Sequence, residues 1–203
     1  MTQQRDFDAA AHTWDEEPRR VKLAGEIAAG IMAEVELSSQ WDGLDIGCGT
    51  GLVTLNLAPH LRSMLGIDSS CGMLDKLAEK VKATGMTNIK TALCDLASGE
   101  MPAGTFHLIT SAMTLHHIQE PSALLARLKS HVYPGGMVAF ADLDAEDGSF
   151  HDDVTGVYHH GFSRIELTRL LEYAGYVSIS VKQAAIIEKN DRSYPVLLAV
   201  AQA

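Results

Sequence analysis

Leu44, Asp45, Ile46, Gly47, Cys48, Gly49, Thr50 and Gly51 run from a short apolar stretch into three alternating glycines, and Leu52, Val53, Leu55 and Leu57 follow. This reads as a strand, a tight turn and a helix. An acid at the end of a buried strand, followed by glycines that let a ligand press against bare backbone at a helix N-terminus, is how open α/β sheets hold an adenosine-bearing cofactor.

Outward from that turn the same punctuation repeats. Strand-like runs Asp42 to Ile46, Arg62 to Ile67, Asn88 to Leu93, Phe106 to Ser111 and Gly136 to Leu143 are interleaved with helical runs Gly51 to Ala58, Cys71 to Thr84 and Pro121 to Val132. Alternation at this spacing predicts parallel strands covered by helices on both faces. The last third differs. Helix Ser163 to Ala174 leads to two strand-like runs, Tyr176 to Ile186 and Tyr194 to Ala201, split by the polar Glu188 to Arg192. So short a connection leaves no room for a crossover and predicts an antiparallel hairpin. Ahead of the first strand, Phe7, Ala10, Ala11 and Trp14 recur at helical spacing over Met1 to Trp14, and Pro18 opens a second helix over Arg19 to Leu37. The expected architecture is α/β, a Rossmann-like doubly wound sheet of seven strands, mostly parallel, with a C-terminal antiparallel hairpin strand. The chain is expected to form a single domain: a helical cover over 1–40, a cofactor-binding core over 41–143, a loop over 144–162 and a terminal helix and hairpin over 163–203.

A chain of 203 residues with 46% apolar content can bury one sizeable core. The formal net charge of −10, with no basic run, speaks against nucleic acid and an anionic membrane surface as partners. Met1 to Asp15 is polar and lacks the apolar core of a secretory signal, and no apolar run is long enough for a bilayer, so a soluble, cytoplasmic protein is expected. Cys48, Cys71 and Cys94 are odd in number and show no C-x-x-C spacing; they read as small apolar fillers in a reducing compartment.

Asp68 ends the second strand-like run, placed either to accept hydrogen bonds from ribose hydroxyls or to cap the helix that begins near Cys71. The glycines Gly47, Gly49 and Gly51 are spaced G-x-G-x-G rather than the G-x-G-x-x-G of a dinucleotide turn. With Asp45 before it, this turn resembles the first motif of class I S-adenosylmethionine-dependent methyltransferases, of the small-molecule type. An acid there suits a ligand carrying an ammonium and a sulfonium better than a diphosphate. Asp68, Ser69 and Met73 resemble that family's second motif, and Asp95 and Leu96 its third. Phe106 to Ile118, which holds Ser111, resembles the fourth-strand motif, and Leu128 to Val138, with Tyr133, Pro134, Gly135 and Gly136, the turn before strand five. The resemblance spans residues 41 to 143 in order. It departs at Phe106–His107, where the family usually has an Asp after the aromatic residue. It implies S-adenosylmethionine as cofactor, S-adenosylhomocysteine as product, and a cofactor site of Asp45, Gly47, Cys48, Gly49, Gly51, Asp68, Ser69, Met73, Asp95, Leu96 and Ser111. Upstream, Trp14 and Arg19 resemble the helical cover of such enzymes, where an indole can pack on the ligand and a guanidinium fork can meet its carboxylate; equally, they read as a core anchor and a solvated helix start.

Methyl transfer needs a nucleophile held in line and shielded from water, and a base only where the acceptor arrives protonated. His116 and His117, just beyond strand four, are the candidate catalytic bases, or else an architectural turn common to such enzymes. Asp142, Tyr158, His159, His160 and Phe162 are candidates for the acceptor pocket, most of them on the irregular Asp144 to Phe162 stretch. Its His and Asp residues match no closed zinc pattern, so no metal is expected. The expected partner is a small-molecule methyl acceptor. A cofactor-binding module without turnover and an NAD-dependent oxidoreductase are the alternatives.

Overall fold

A computed structural model describes residues 6–96 and 100–203. Seven strands form one sheet in the order β3-β2-β1-β4-β5-β7-β6. They are β1 (Asp42–Ile46), β2 (Ser63–Asp68), β3 (Ile89–Leu93), β4 (Phe106–Ala112), β5 (Val132–Leu143), β6 (Val177–Lys189) and β7 (Arg192–Gln202). The first five are parallel; β7 runs antiparallel to both β5 and β6. The helices are α1 (Phe7–Ala10), α2 (Pro18–Glu34), α3 (Leu52–Leu57), α4 (Cys71–Thr84), α5 (Pro121–Lys129) and α6 (Arg164–Tyr173). The strand order reverses between β1 and β4, and ligands of open α/β sheets bind outside the carboxyl ends of the strands at such a switch point.

Side-chain alternation along each strand feeds two buried layers. On one face Met64, Leu108, Ala139 and Leu198 pack with Ile27 and Ile31 of α2 and Val53 and Leu57 of α3. On the other, Leu44, Ile46, Ile109, Phe140 and Leu197 pack with Leu124, Leu125 and Leu128 of α5 and Leu167 and Leu171 of α6. Each fully buried side chain of this size contributes about 1.5–3 kcal/mol. The helix starts follow local chemistry. Pro18 and Pro121 stand in the first turn of their helices. The Ser70 hydroxyl accepts the Met73 amide, and Ser163 forms a reciprocal capping box with Glu166.

Several boundaries differ from the sequence pattern. Helix α5 stops at Lys129 rather than Val132, because Val132 already pairs with Phe106 and opens β5. The hairpin connection shrinks to Asn190 and Asp191, both left-handed with φ of 51° and 58°, the backbone of a tight primed turn that carries the strands through Glu188 and Arg192. Residues Ala11–Glu16 wind as a 3₁₀ helix. The first five residues of the expected N-terminal helix lie outside the described residues. Cys48 is buried as expected, but Cys71 is exposed at the first position of α4 and fills no core. His107 occupies the position of the family's usual acid. Its Nδ1 accepts the Asp42 amide at 3.1 Å, and its ring lies 4.4 Å from that of Tyr133.

Gly51, the αL residue ahead of α3, has φ +79°, and a Cβ on it would collide with the δ-carbons of Leu77 on α4. We expect Gly51→Ala to cost about 2–5 kcal/mol in urea unfolding, the sum of left-handed strain and overpacking. Gly85 is equally left-handed at φ +70° but faces open space, so Gly85→Ala should show the backbone part alone, about 1–2 kcal/mol.

Candidate functional site

Asp45 is 2% exposed, and each of its oxygens accepts a hydroxyl: Thr54 of α3 at 2.5 Å and Thr110 of β4 at 2.9 Å. Burial pushes its pKa up to about 6; the two hydroxyls oppose the shift and the nearby Asp68 adds to it. Above Asp45 the chain turns through Gly47 to Gly51. The Cβ direction of Gly49 is open apart from Met73 Sδ at 4.0 Å, which leaves bare backbone facing the cavity. Asp68 ties two turns together, accepting the Gly49 amide at 2.8 Å and the Ser70 amide at 2.9 Å. It does not cap α4, a role Ser70 fills. Burial raises the Asp68 pKa as well, against its backbone hydrogen bonds.

Asp45, Gly47, Cys48, Gly49, Asp68, Ser69, Met73, Asp95 and Leu96 all border one cavity of about 790 Å³ at the carboxyl edge of β1, β2 and β3. Two predicted residues do not. Gly51 is spent on packing against α4, and Ser111 is 1% exposed with its hydroxyl donating to the Ile46 carbonyl at 3.1 Å, a tie between β1 and β4. Strand alternation turns Ser111 away from the ligand side.

The N-terminal segment lies across this cavity and is fastened by two acids. Asp8 accepts the Ser70 hydroxyl at 2.5 Å and the Gly72 amide at 2.8 Å, which lowers its pKa. Asp15 accepts the Thr50 hydroxyl at 2.6 Å and pairs with Lys80 at 2.7 Å. Trp14 borders the cavity with Phe7, and the Arg20 guanidinium stacks 3.8 Å over the Trp14 ring. Arg19 borders it too, but its fork already meets both oxygens of Glu17 at 3.1 Å. The sequence shows that competitor two residues upstream.

The far half of the cavity is walled by His116 and His117, from the short 3₁₀ turn Leu115–His117 after β4, and by the irregular stretch after β5. Asp142 is fully buried and does not reach the cavity. Its Oδ1 lies 2.7 Å from Nδ1 of His116, and its Oδ2 accepts the His116 amide at 3.2 Å. Burial alone would raise the Asp142 pKa, but its electrostatic attraction to the His116 ring and the hydrogen bonds from His116 and Leu143 together hold it below the usual carboxylate range. Nδ1 of His117 lies 2.7 Å from the Gly156 carbonyl. Of the predicted loop residues only Tyr158 borders the cavity. His159 reaches the Ile118 carbonyl at 3.0 Å, His160 lies 3.6 Å from Glu146 with its side chain half exposed, and Phe162 sits in the core. The loop closes on itself, the Phe162 amide donating to the Leu143 carbonyl and the Glu146 amide to the His160 carbonyl, both at 2.8 Å, so its last residues, 159–162, turn away from the site. Its first half supplies Phe150 and His151 instead, with Lys189 from the end of β6. The run of two rings and two acids, Phe150 to Asp153, was the signal for them. Among the described residues no group of three or more His, Cys, Asp or Glu side chains is arranged to hold a metal ion, and no helix is long and apolar enough to cross a membrane.

The sequence profile of the methyltransferase-domain family matches residues 44–136. An uncharacterized methyltransferase of Schizosaccharomyces pombe is 33% identical over 132 residues, 58% of this chain and 46% of the relative. A ubiquinone biosynthesis O-methyltransferase of Methylococcus capsulatus is 27% identical over 141 residues, 68% of this chain and 60% of the relative. The chain thus spans about half to three-fifths of the length of these curated relatives. The solved complex of DhpI with S-adenosylhomocysteine superposes with a TM-score of 0.74, at 22% identity, over 96% of this chain and 92% of its own. These matches, with the strand order and the glycine turn, support a class I S-adenosylmethionine-dependent methyltransferase: the methyltransferase-domain profile covers residues 44–136, and the fold is shared over nearly the whole chain.

Proposed function

We propose that the protein transfers the methyl group of S-adenosylmethionine to a small-molecule acceptor. The observation that carries this reading is one continuous cavity whose near half is lined by Asp45, Gly49, Asp68 and Asp95 and whose far half is lined by imidazoles. The near half fits the cofactor. Gly49 offers backbone where any side chain would intrude, and Asp45 is a buried carboxylate whose raised pKa is relieved by a cation. Each Asp68 oxygen is aimed by one backbone amide, which leaves acceptor capacity for ribose hydroxyls. When bound, S-adenosylmethionine supplies a methyl carbon activated by its sulfonium. The chain's own part is to orient, to exclude water beneath Phe7 and Trp14, and to take a proton from the acceptor through His116. A relative named for O-methylation in ubiquinone biosynthesis supports a small acceptor.

Calorimetry with S-adenosylhomocysteine tests the cofactor half: binding is expected, and binding of NAD in its place overturns the reading. Labelled S-adenosylmethionine incubated with a small-metabolite extract should yield a labelled product; persistent absence of one favours a binding module.

Ionised Asp45 opposes folding, so its contribution to the stability of the unliganded protein is present at low pH and lost as pH rises through about 6. Ligand binding runs the other way. The ammonium of S-adenosylhomocysteine favours the carboxylate, so its affinity should be flat above neutrality and fall toward about tenfold per pH unit below about 6, with a proton released on binding near that pH. Calorimetry in buffers of differing ionisation enthalpy reads both effects.

The acids that fasten the N-terminal segment lie outside the core. Replacing both, Asp8→Ala with Asp15→Ala, should speed release of S-adenosylhomocysteine about three- to tenfold, in line with partly exposed polar contacts, and leave the melting temperature within a few degrees. Stopped-flow fluorescence of Trp14 follows the release.

A further inference from the structure

We propose that the far half of the cavity is a clamp for a planar aromatic acceptor bearing an acidic hydroxyl, a phenol, and that Asp142 positions His116 to take the phenolic proton. This deepens the methyl-transfer reading and rests on it.

Six rings bordering the cavity form an unbroken chain. Trp14 meets Phe7 at 6.0 Å and 67°, Phe7 meets His117 at 5.5 Å and 83°, and His117 meets His116 at 4.1 Å. His116 meets His151 at 5.0 Å, and His151 meets Phe150 at 4.8 Å and 88°. The rings come from three separate stretches: the N-terminal segment, the turn after β4 and the loop after β5. The outer contacts are edge-to-face and the two central ones, His117–His116 and His116–His151, are tilted at 44° and 42°, so the arc offers both ring edges and ring faces to a flat π-system. An aliphatic acceptor would gain little from it.

The charges around the arc narrow the acceptor further. Arg20 lies over the Trp14 ring at one end, and the Lys189 ammonium lies 5.5 Å from the Phe150 ring centre at the other. The cation–π positions at both ends are therefore filled, with Lys189 also paired to Asp152 at 2.8 Å, so an entering amine finds neither end ring open to it. A neutral ring needs no such position.

The third constraint is the tautomer. Asp142 is wholly enclosed and spends its oxygens on His116 Nδ1, the His116 amide and the Leu143 amide. A carboxylate there holds the proton on Nδ1 and leaves Nε2 as the acceptor nitrogen of a ring that borders the cavity. An imidazole is suited to a phenol, whose acidity is near that of tyrosine, and not to an alkyl hydroxyl, which is weaker by several orders of magnitude. In the step, the phenolic proton passes to His116 Nε2, and the oxygen electron pair forms the O–C bond as the S–C pair returns to sulfur. The products are an aryl methyl ether, a neutral thioether and imidazolium. Asp142 touches neither acceptor nor cofactor and is a positioning residue.

The test uses protein loaded with S-adenosylhomocysteine and titrated with 4-nitrophenol, whose phenolate absorbs in the visible. Expected are saturable binding, phenolate absorbance at a pH where the free probe is still mostly protonated, and no competition from cyclohexanol or cyclohexylamine. His116→Gln should keep binding and lose the phenolate signal. Asp142→Asn should keep binding and require a higher pH for it. Phe7→Leu and His151→Leu should each weaken binding about three- to tenfold. Displacement by cyclohexylamine, absence of probe binding while S-adenosylhomocysteine is bound, or a wild-type spectrum without phenolate overturns the proposal and leaves the methyl-transfer reading standing. Failure to bind S-adenosylhomocysteine overturns both. The competition experiment uses unaltered protein, so its outcome does not depend on any variant folding.

Discussion

A carboxylate enclosed by two hydroxyls lies at the centre of this molecule. Asp45 of β1 is reached by Thr54 from α3 and Thr110 from β4, so one side chain joins the helix after the glycine turn to the strand across the switch point. Hydroxyls are weak compensation for a buried charge, and the pKa of about 6 reflects the deficit. The deficit is local and faces the cavity. A ligand that brings a cation settles it, and the sheet, the turn and the helix that enclose Asp45 are held in the geometry that such a ligand requires.

The near half of the cavity was legible from the sequence because backbone geometry dictates residue type there. Glycine adopts the left-handed positions of the turn at the least strain, and an acid at a strand end is recognisable by its place after an apolar run. The far half was less legible because its residues are chosen by tertiary contacts. Asp142 stands at the carboxyl edge, as a pocket residue should, yet the 3₁₀ turn after β4 brings His116 down onto it. His160 and Phe162 share the composition of pocket residues, but two backbone hydrogen bonds, Phe162 to Leu143 and Glu146 to His160, fold the end of the loop away. Arg19 is diverted for a nearer reason, since Glu17 beside it offers a carboxylate at no loop-closure cost. The shifted element boundaries have the same origin: Val132 satisfies a helical pattern and a strand pattern alike until Phe106 is there to pair with it.

Acids act here more as fasteners than as reagents. Asp8 fixes the N-terminal segment to the start of α4, Asp15 fixes it to the glycine turn and to Lys80, and Asp142 fixes a histidine ring. Asp68 draws together the turns that follow β1 and β2. Part of the acidic surplus that the composition shows is thus structural, spent on joining segments distant in sequence around one cavity. The surplus disfavours polyanions as partners without being an interaction surface itself.

The terminal hairpin and the Asp45 enclosure differ in how far the chain must travel to make them. β6 and β7 meet across the two-residue turn at Asn190 and Asp191, whereas Thr110 reaches Asp45 from 65 positions away. Loop-closure entropy makes the first contact cheap and the second costly, and hairpins form in microseconds while non-local pairing is slow. The C-terminal edge of the sheet can therefore pair early, and the ligand-binding middle waits for its long-range contacts, since Thr54 alone reaches Asp45 from nearby in sequence. Mass action then works where the fold is most expensive: a ligand that binds only the closed enclosure adds its binding free energy to the step of folding with the least help from chain connectivity.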